Sequence, residues 1–179
     1  MTTCLFIASV GNPGPLYNTL HSAGHHLLES LHATLAYPPF RQNLSVGSRH
    51  ALYRSNSLMN TCGPGITRAY KTFLSTLSAG DRAGAQLVIL HDELELPLGQ
   101  LKLRTSGSLK GHNGLKSVKS SLGGKEFARI GIGIGRPEAR TSTAVSDYVL
   151  RKMTAMERSA IESKGMDALR MIEHLEGTG

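Results

Sequence analysis

Apolar and polar positions change period along the chain, and the changes mark its elements. "CLFIASV" at 4–10 is a continuous apolar run closed by the turn residues "GNPG", as suits a strand buried on both faces. From about 23 to 35, Leu27, Leu28, Leu31 and Leu35 recur at helical spacing, and "YPP" stops the segment because proline disfavours helix in the residue before it. Alternation between 44 and 59, around Gly47 and Ser48, predicts a hairpin. Ile66, Ala69, Tyr70, Phe73, Leu74 and Leu77 mark a second amphipathic helix, begun after "CGPG".

"QLVIL" is a second fully apolar strand, with the acidic stretch "HDELELP" at its C-terminal end. "LGQLKL" alternates like a half-exposed strand, "GLKSVKSSL" reads as a short helix closed by Gly123 and Gly124, and "ARIGIGIG" as a strand with glycines on one face. Thr154 and Glu157 match a capping box that opens one last helix carrying Ile161, Ala168, Leu169 and Ile172. Strands alternating with helices predict a single three-layer α/β domain over 1–179. Its twisted central sheet is mixed but largely parallel, flanked by helices.

Composition narrows the function. The 179 residues suffice for one domain with a substantial core, and the formal net charge of +7 favours a polyanionic partner, nucleic acid foremost. Cys4 and Cys62 show no C-x-x-C spacing, which predicts buried, inert thiols in a reducing compartment. No stretch approaches the roughly 20 apolar residues that span a bilayer, and the apolar part of the N-terminal segment is short for a secretory signal and lacks a basic leader. A soluble intracellular protein is expected, in the cytoplasm or the mitochondrion.

Ligands on open α/β sheets bind beyond the carboxyl ends of the strands, so the chemistry is sought there. The first strand delivers Asn12, Tyr17 and His21; the later apolar strand delivers Asp92. Asn60 in "LMNTCG" and His112 and Asn113 in "KGHNG" precede predicted helices and can face the same edge. "GIGIGRP" fails the G-x-G-x-x-G pattern, because Arg136 stands where the third glycine belongs, and no Walker A pattern is present. His21 and His25 are spaced for one helix face, but "SAG" between them lacks the glutamate of a H-E-x-x-H metal site; His25 and His26 read as surface or packing histidines.

Taken in order, "GNPGPLYNTLHSAG", "LMNTCG", "HDELELPLG", "KGHNGLKS", "RIGIGIGRP" and "DYVL" resemble the bacterial-type peptidyl-tRNA hydrolases, which also occur in eukaryotes, over nearly the whole chain. The resemblance implies hydrolysis of the ester joining a peptide to the 3′ ribose of tRNA, without cofactor or metal, by a monomer acting on the acceptor end and 5′ phosphate. It makes His21 the general base and Asp92 its orienting partner. It assigns Asn12, Asn60 and Asn113 to holding the substrate, Tyr17, Leu58, Met59 and His112 to lining its site, and Arg104 and Arg129 to the 5′ phosphate. Nothing in the pattern speaks to ribosome attachment. The chain departs from the family at Leu20, where arginine is usual, at Ser22, where asparagine is usual, and in a segment from Tyr17 to His21 one residue shorter than expected.

The residue chemistry agrees. An ester attacked by water needs a base that is neutral yet basic at working pH, which histidine supplies, and a carboxylate on its other nitrogen fixes the tautomer. Amides supply donors for developing charge on the carbonyl oxygen. Blander readings stand beside these: Asn60 and Asn113 as helix caps, Glu93 and Glu95 as solvated charges, His91 and His112 as satisfied neighbours, and Lys102 with Arg104 as the wet face of a strand. A non-catalytic RNA-binding relative and a general esterase remain the alternative functions. With no tryptophan, backbone and shape recognition of RNA is favoured over base stacking.

Overall fold

The structure, a computed structural model, describes residues 3–177. Six strands form one sheet: β1 (Leu5–Ser9), β2 (Leu44–Val46), β3 (His50–Arg54), β4 (Gln86–Glu93), β5 (Leu101–Arg104) and β6 (Ala128–Gly133). Their order is β2-β3-β1-β4-β6-β5. The four central strands run parallel, while β2 and β5 close the edges antiparallel to β3 and β6. This is the expected mixed, largely parallel sheet.

The pleat of β1 shows why there are three layers. Leu5 and Ile7 enter one core with Leu27, Leu28 and Leu31 of α1 (Ala23–Leu35), whereas Phe6, Ala8 and Val10 enter a second core. That second core holds Ile66 of α2 (Gly63–Thr76), and a short α3 (Ala79–Gly84) follows it in the chain. Leu115 and Val118 of α4 (Asn113–Ser121) complete that face. Successive side chains on a strand point to opposite faces, so a run without polar interruption requires cover on both.

Four details differ from the sequence expectation. The "CGPG" turn lies partly inside α2, which accommodates Pro64 in its first turn because the missing N–H has no helical partner there. Beyond β6, an unanticipated α5 (Ser142–Leu150) begins at Thr141, whose hydroxyl accepts the Ala144 N–H at 3.2 Å. The single last helix is two: α6 (Ala155–Glu162), with the capping box formed, and α7 (Gly165–Gly177). Between them the chain presses onto α1, where a Cβ at Gly165 would lie 2.5 Å from Thr34 Oγ1. Cys4 is only partly buried, while Cys62 is buried, its thiol pushed up to about 11 chiefly by burial.

One close approach sets the height of α1 above the sheet. A Cβ on Gly24 would fall 2.5 Å from the Leu90 carbonyl oxygen and 2.8 Å from that of Val10, both backbone atoms that cannot swing away. Gly24→Ala is therefore expected to destabilise the protein by about 1–3 kcal/mol, the usual cost of forcing an extra carbon into a packed contact. Urea unfolding should show a lower midpoint at unchanged slope; an unchanged midpoint would mean that α1 can lift without cost.

Candidate active site

β4 continues past its apolar run to Glu93 and carries Asp92, 3% exposed, to the carboxyl edge of the sheet. His21 arrives from a 3₁₀ turn (Leu20–Ser22) that leads directly into α1, and its Nδ1 lies 2.8 Å from Asp92 Oδ2. His112 arrives from the opposite core as the N-cap of α4, with Nε2 2.8 Å from Asp92 Oδ1. Its Nδ1 accepts the Leu115 N–H at 3.2 Å, so the proton sits on Nε2 and is donated to Asp92. An ionised carboxylate only accepts, so His21 likewise donates from Nδ1 and keeps Nε2 as its basic nitrogen. One carboxylate thus receives two imidazole N–H groups.

The electrostatics follow from that arrangement. Burial would raise the Asp92 pKa, but the charges and hydrogen bonds of His21 and His112 outweigh it and hold the carboxyl well below its ordinary range. Burial would lower the His21 pKa, but the Asp92 charge and hydrogen bond outweigh it and leave the imidazole above its ordinary value. The base is therefore strengthened by its partner.

These groups open onto a cavity of about 560 Å³, whose wall also includes Asn12, Leu58, Met59, Asn60 and Asn113. Asn12 Oδ1 accepts the Met59 N–H at 2.8 Å, tying the loop after β1 to the 3₁₀ turn Met59–Thr61. Ser22 locks the same loop: it accepts the Asn12 N–H at 2.9 Å and donates to the Leu16 carbonyl at 2.9 Å. Tyr17 does not reach this wall. Leu16 lines the cavity instead, and Tyr17 packs on two buried histidines, its ring 5.7 Å from that of His25 and 4.9 Å from that of His26. Ser142, Val145, Ser146 and Val149 of α5 form the facing wall; "DYVL" was the one sequence signal for this element, and it carried no residue role.

The acids divide differently from the sequence reading. Glu95 is exposed and pairs with Arg136 at 2.7 Å, but Glu93 is only 7% exposed, because β4 extends far enough to lay it over Gly131 of β6. Glu93 pairs with Arg104 at 3.1 Å and lies 3.6 Å from Lys110. Arg129 is 2% exposed and donates to the carbonyls of Gly107 at 3.2 Å and Ser108 at 3.0 Å, pinning the loop before His112.

His21 and His25 do not converge: His25 faces Ser9 Oγ at 2.7 Å, and both His25 and His26 are packing histidines, fully buried. Among the described residues, His21, Asp92 and His112 form the one cluster with metal-ligand spacing, their ligand atoms within 4.8 Å of one another. A cation there would have to replace both hydrogen bonds that now hold Asp92.

A largely parallel α/β sheet with a carboxylate-steered imidazole opening into a cavity at its carboxyl edge has the arrangement that acid–base hydrolysis requires. The peptidyl-tRNA hydrolase family profile matches residues 6–178. Peptidyl-tRNA hydrolase of Kineococcus radiotolerans is 34% identical over 98% of this chain and 92% of its own length. The probable peptidyl-tRNA hydrolase of Schizosaccharomyces pombe is 38% identical over 88% of this chain and 75% of its own. A crystal structure of peptidyl-tRNA hydrolase from Acinetobacter baumannii superposes with a TM-score of 0.76 at 26% identity, covering 99% of this chain and 91% of that one. The chain belongs to the peptidyl-tRNA hydrolase family.

Two buried imidazoles give the site region a distinctive acid response. His91 donates from Nδ1 to the Asp92 carbonyl at 2.7 Å, and burial first, then neighbouring positive charge, pulls its pKa down to about 3. His25 is pulled down to about 3 by burial and by Arg54 and His26. Unfolded, both protonate near about 6.5. Each therefore stabilises the fold fully above that value and loses its contribution as pH falls toward the folded pKa, about 2 kcal/mol apiece at pH 5. His21, shifted upward, works in the opposite sense and offsets part of the loss. Urea midpoints should drop between pH 7.5 and 5.0; equal stability at the two would contradict neutral burial of these rings.

Proposed function

We propose that the protein hydrolyses peptidyl-tRNA, cleaving the ester between the peptide and the 3′ ribose to release free peptide and recyclable tRNA. The observation that carries the reading is the 2.8 Å contact between His21 Nδ1 and Asp92, which leaves Nε2 free at the cavity. Water attacks the ester carbonyl carbon and gives its proton to Nε2. Asp92 stabilises the resulting imidazolium, and His112 holds Asp92 in place while that charge comes and goes. Negative charge collects on the carbonyl oxygen and is met by amide N–H groups of Asn12, Asn60 or Asn113, each such donor being worth roughly 3 kcal/mol where measured. The tetrahedral intermediate then collapses, and the ribose oxygen leaves with the proton from Nε2.

The basic groups serve the RNA arm in this reading. A 5′ phosphate enters beside Arg104 and Arg129, drawing the first from Glu93 and the second from the loop carbonyls it now binds. Every group the reaction uses lies on one chain, as a monomer requires, and the reaction belongs where translation occurs, in cytoplasm or mitochondrion. Among the described residues no helix is long and apolar enough to cross a membrane.

His21→Ala should lower kcat by at least about 100-fold while tRNA binding persists, the usual scale of losing a general base. Near-normal turnover would remove His21 from that role. The pH profile supplies a sharper check: since Asp92 raises the His21 pKa, Asp92→Asn should move the acid limb of kcat/KM to lower pH as well as reduce its plateau. An unmoved limb would show that another group titrates. Arg104→Ala and Arg129→Ala should weaken tRNA binding and flatten its salt dependence, sparing a short substrate that lacks the 5′ phosphate; equal losses on both would reject the phosphate role.

A further inference from the structure

Behind the turn that carries Asn12 and Leu16 lies a second cavity, of about 470 Å³. The two are lined by adjacent stretches of chain. Asn12 and Leu16 face the first cavity, while their chain neighbours Pro13, Gly14 and Tyr17 face the second. Across from them, Ser55 and Asn56 line the second and Leu58, Met59 and Asn60 the first.

The order of groups along the carboxyl edge gives the direction of travel. In the sheet order β2-β3-β1-β4-β6-β5, the second cavity sits beyond β3 and β1, the His21–Asp92 pair beyond β1 and β4, and Arg104 and Arg129 on β5 and β6. If the RNA arm of an ester lies on the cationic side, its peptide arm leaves on the other.

The chemistry of the second cavity fits a peptide better than RNA. Arg54 is the charged residue in its described lining, and its Nη1 is already paired with Glu29 Oε1 at 2.6 Å. His25, in the wall, is buried and neutral, with Nε2 lacking a hydrogen-bond partner in the protein. A phosphate would find one cation here, against Lys110, Arg129 and Arg136 in the wall of the first cavity and Arg104 beside them. The amides of Asn43 and Asn56 and the Ser55 hydroxyl offer the donors and acceptors that peptide N–H and C=O groups pair with.

We propose that this second cavity is a subsite for the peptide arm of the substrate, binding peptide backbone beyond the residue esterified to tRNA. The subsite rests on the proposed hydrolysis and makes the enzyme favour longer peptides through KM. Two variants probe it. Asn56→Trp fills the cavity. Asn43→Gly removes an amide at a position whose φ of 67° glycine adopts freely.

The measurement is kcat and KM for tRNA carrying one N-acetylated residue and for tRNA carrying a neutral six-residue peptide. The native protein is expected to show a KM about tenfold lower for the longer substrate, the scale of two or so added hydrogen bonds. Both variants should lose most of that preference and process the short substrate at the native rate. A preference that survives both variants overturns the subsite, as does a native protein with normal turnover and no preference. Equal losses on both substrates overturn it too, and weaker binding of deacylated tRNA in the same variants would make the cavity an RNA site. Native protein inactive on both substrates removes the proposed function itself, and the subsite with it.

Discussion

A carboxylate buried between two imidazoles is the constraint on which the arrangement of this molecule depends. Taking an ion out of water costs several kcal/mol even after relaxation, and Asp92 is 3% exposed. Its two oxygens recover that cost by each accepting one imidazole N–H at 2.8 Å. The three residues come from three places: the end of a central strand, the turn ahead of α1, and the cap of α4 on the opposite face of the sheet. Each of those elements must therefore be held to within a fraction of an ångström. The contact of Gly24 with two strand carbonyls sets α1, and the Leu115 N–H sets the His112 ring, so the backbone itself fixes the direction in which the charge is held.

The loop after β1 shows how the backbone decides which side chain faces the cavity. Ser22 holds this loop from inside through the Asn12 N–H and the Leu16 carbonyl, and Asn12 holds it from outside through Met59. With those ends fixed, Leu16 takes the wall, and Tyr17 packs on the buried rings of His25 and His26. The tyrosine and the two histidines form one packed unit behind the loop.

What the sequence disclosed follows from the range of the forces involved. Apolar periodicity located β1, α1, the β2–β3 hairpin, β4, β5, α4 and β6, because burial on one or two faces leaves a local record. The capping box at Thr154 and Glu157 was legible for the same reason. The break between α6 and α7 was not, since it answers to Ser30 and Thr34 more than a hundred residues away. α5 was missed because Val145 and Val149 face a cavity as much as a core, which leaves a weak stripe. Motif order pointed to His21 and Asp92 as a pair, but that His112 shares the same carboxylate is a fact of tertiary geometry. The burial of Glu93 likewise depends on its lying over Gly131 of β6, which no local pattern records.

The gathering of acid in a basic chain finds its reason in the pleat of β4. Successive residues on a strand point to opposite faces, so Asp92 continues the face of Val88 and Leu90 while Glu93 continues that of Leu87 and Ile89. One acid is thereby turned to the imidazoles and its neighbour to Arg104 and Lys110. Burial and then the charge of Arg104 lower the Arg129 pKa, and the carboxylates of Glu126 and Glu93 act against them. Glu93 holds Arg104 in place at 3.1 Å, while Glu95, in the turn after β4, holds Arg136 at the cavity rim. Two neighbouring carboxylates at one strand end thus take different partners, Asp92 a pair of imidazoles and Glu93 a guanidinium, and the spacing of a single peptide unit keeps both acids in the wall of one cavity.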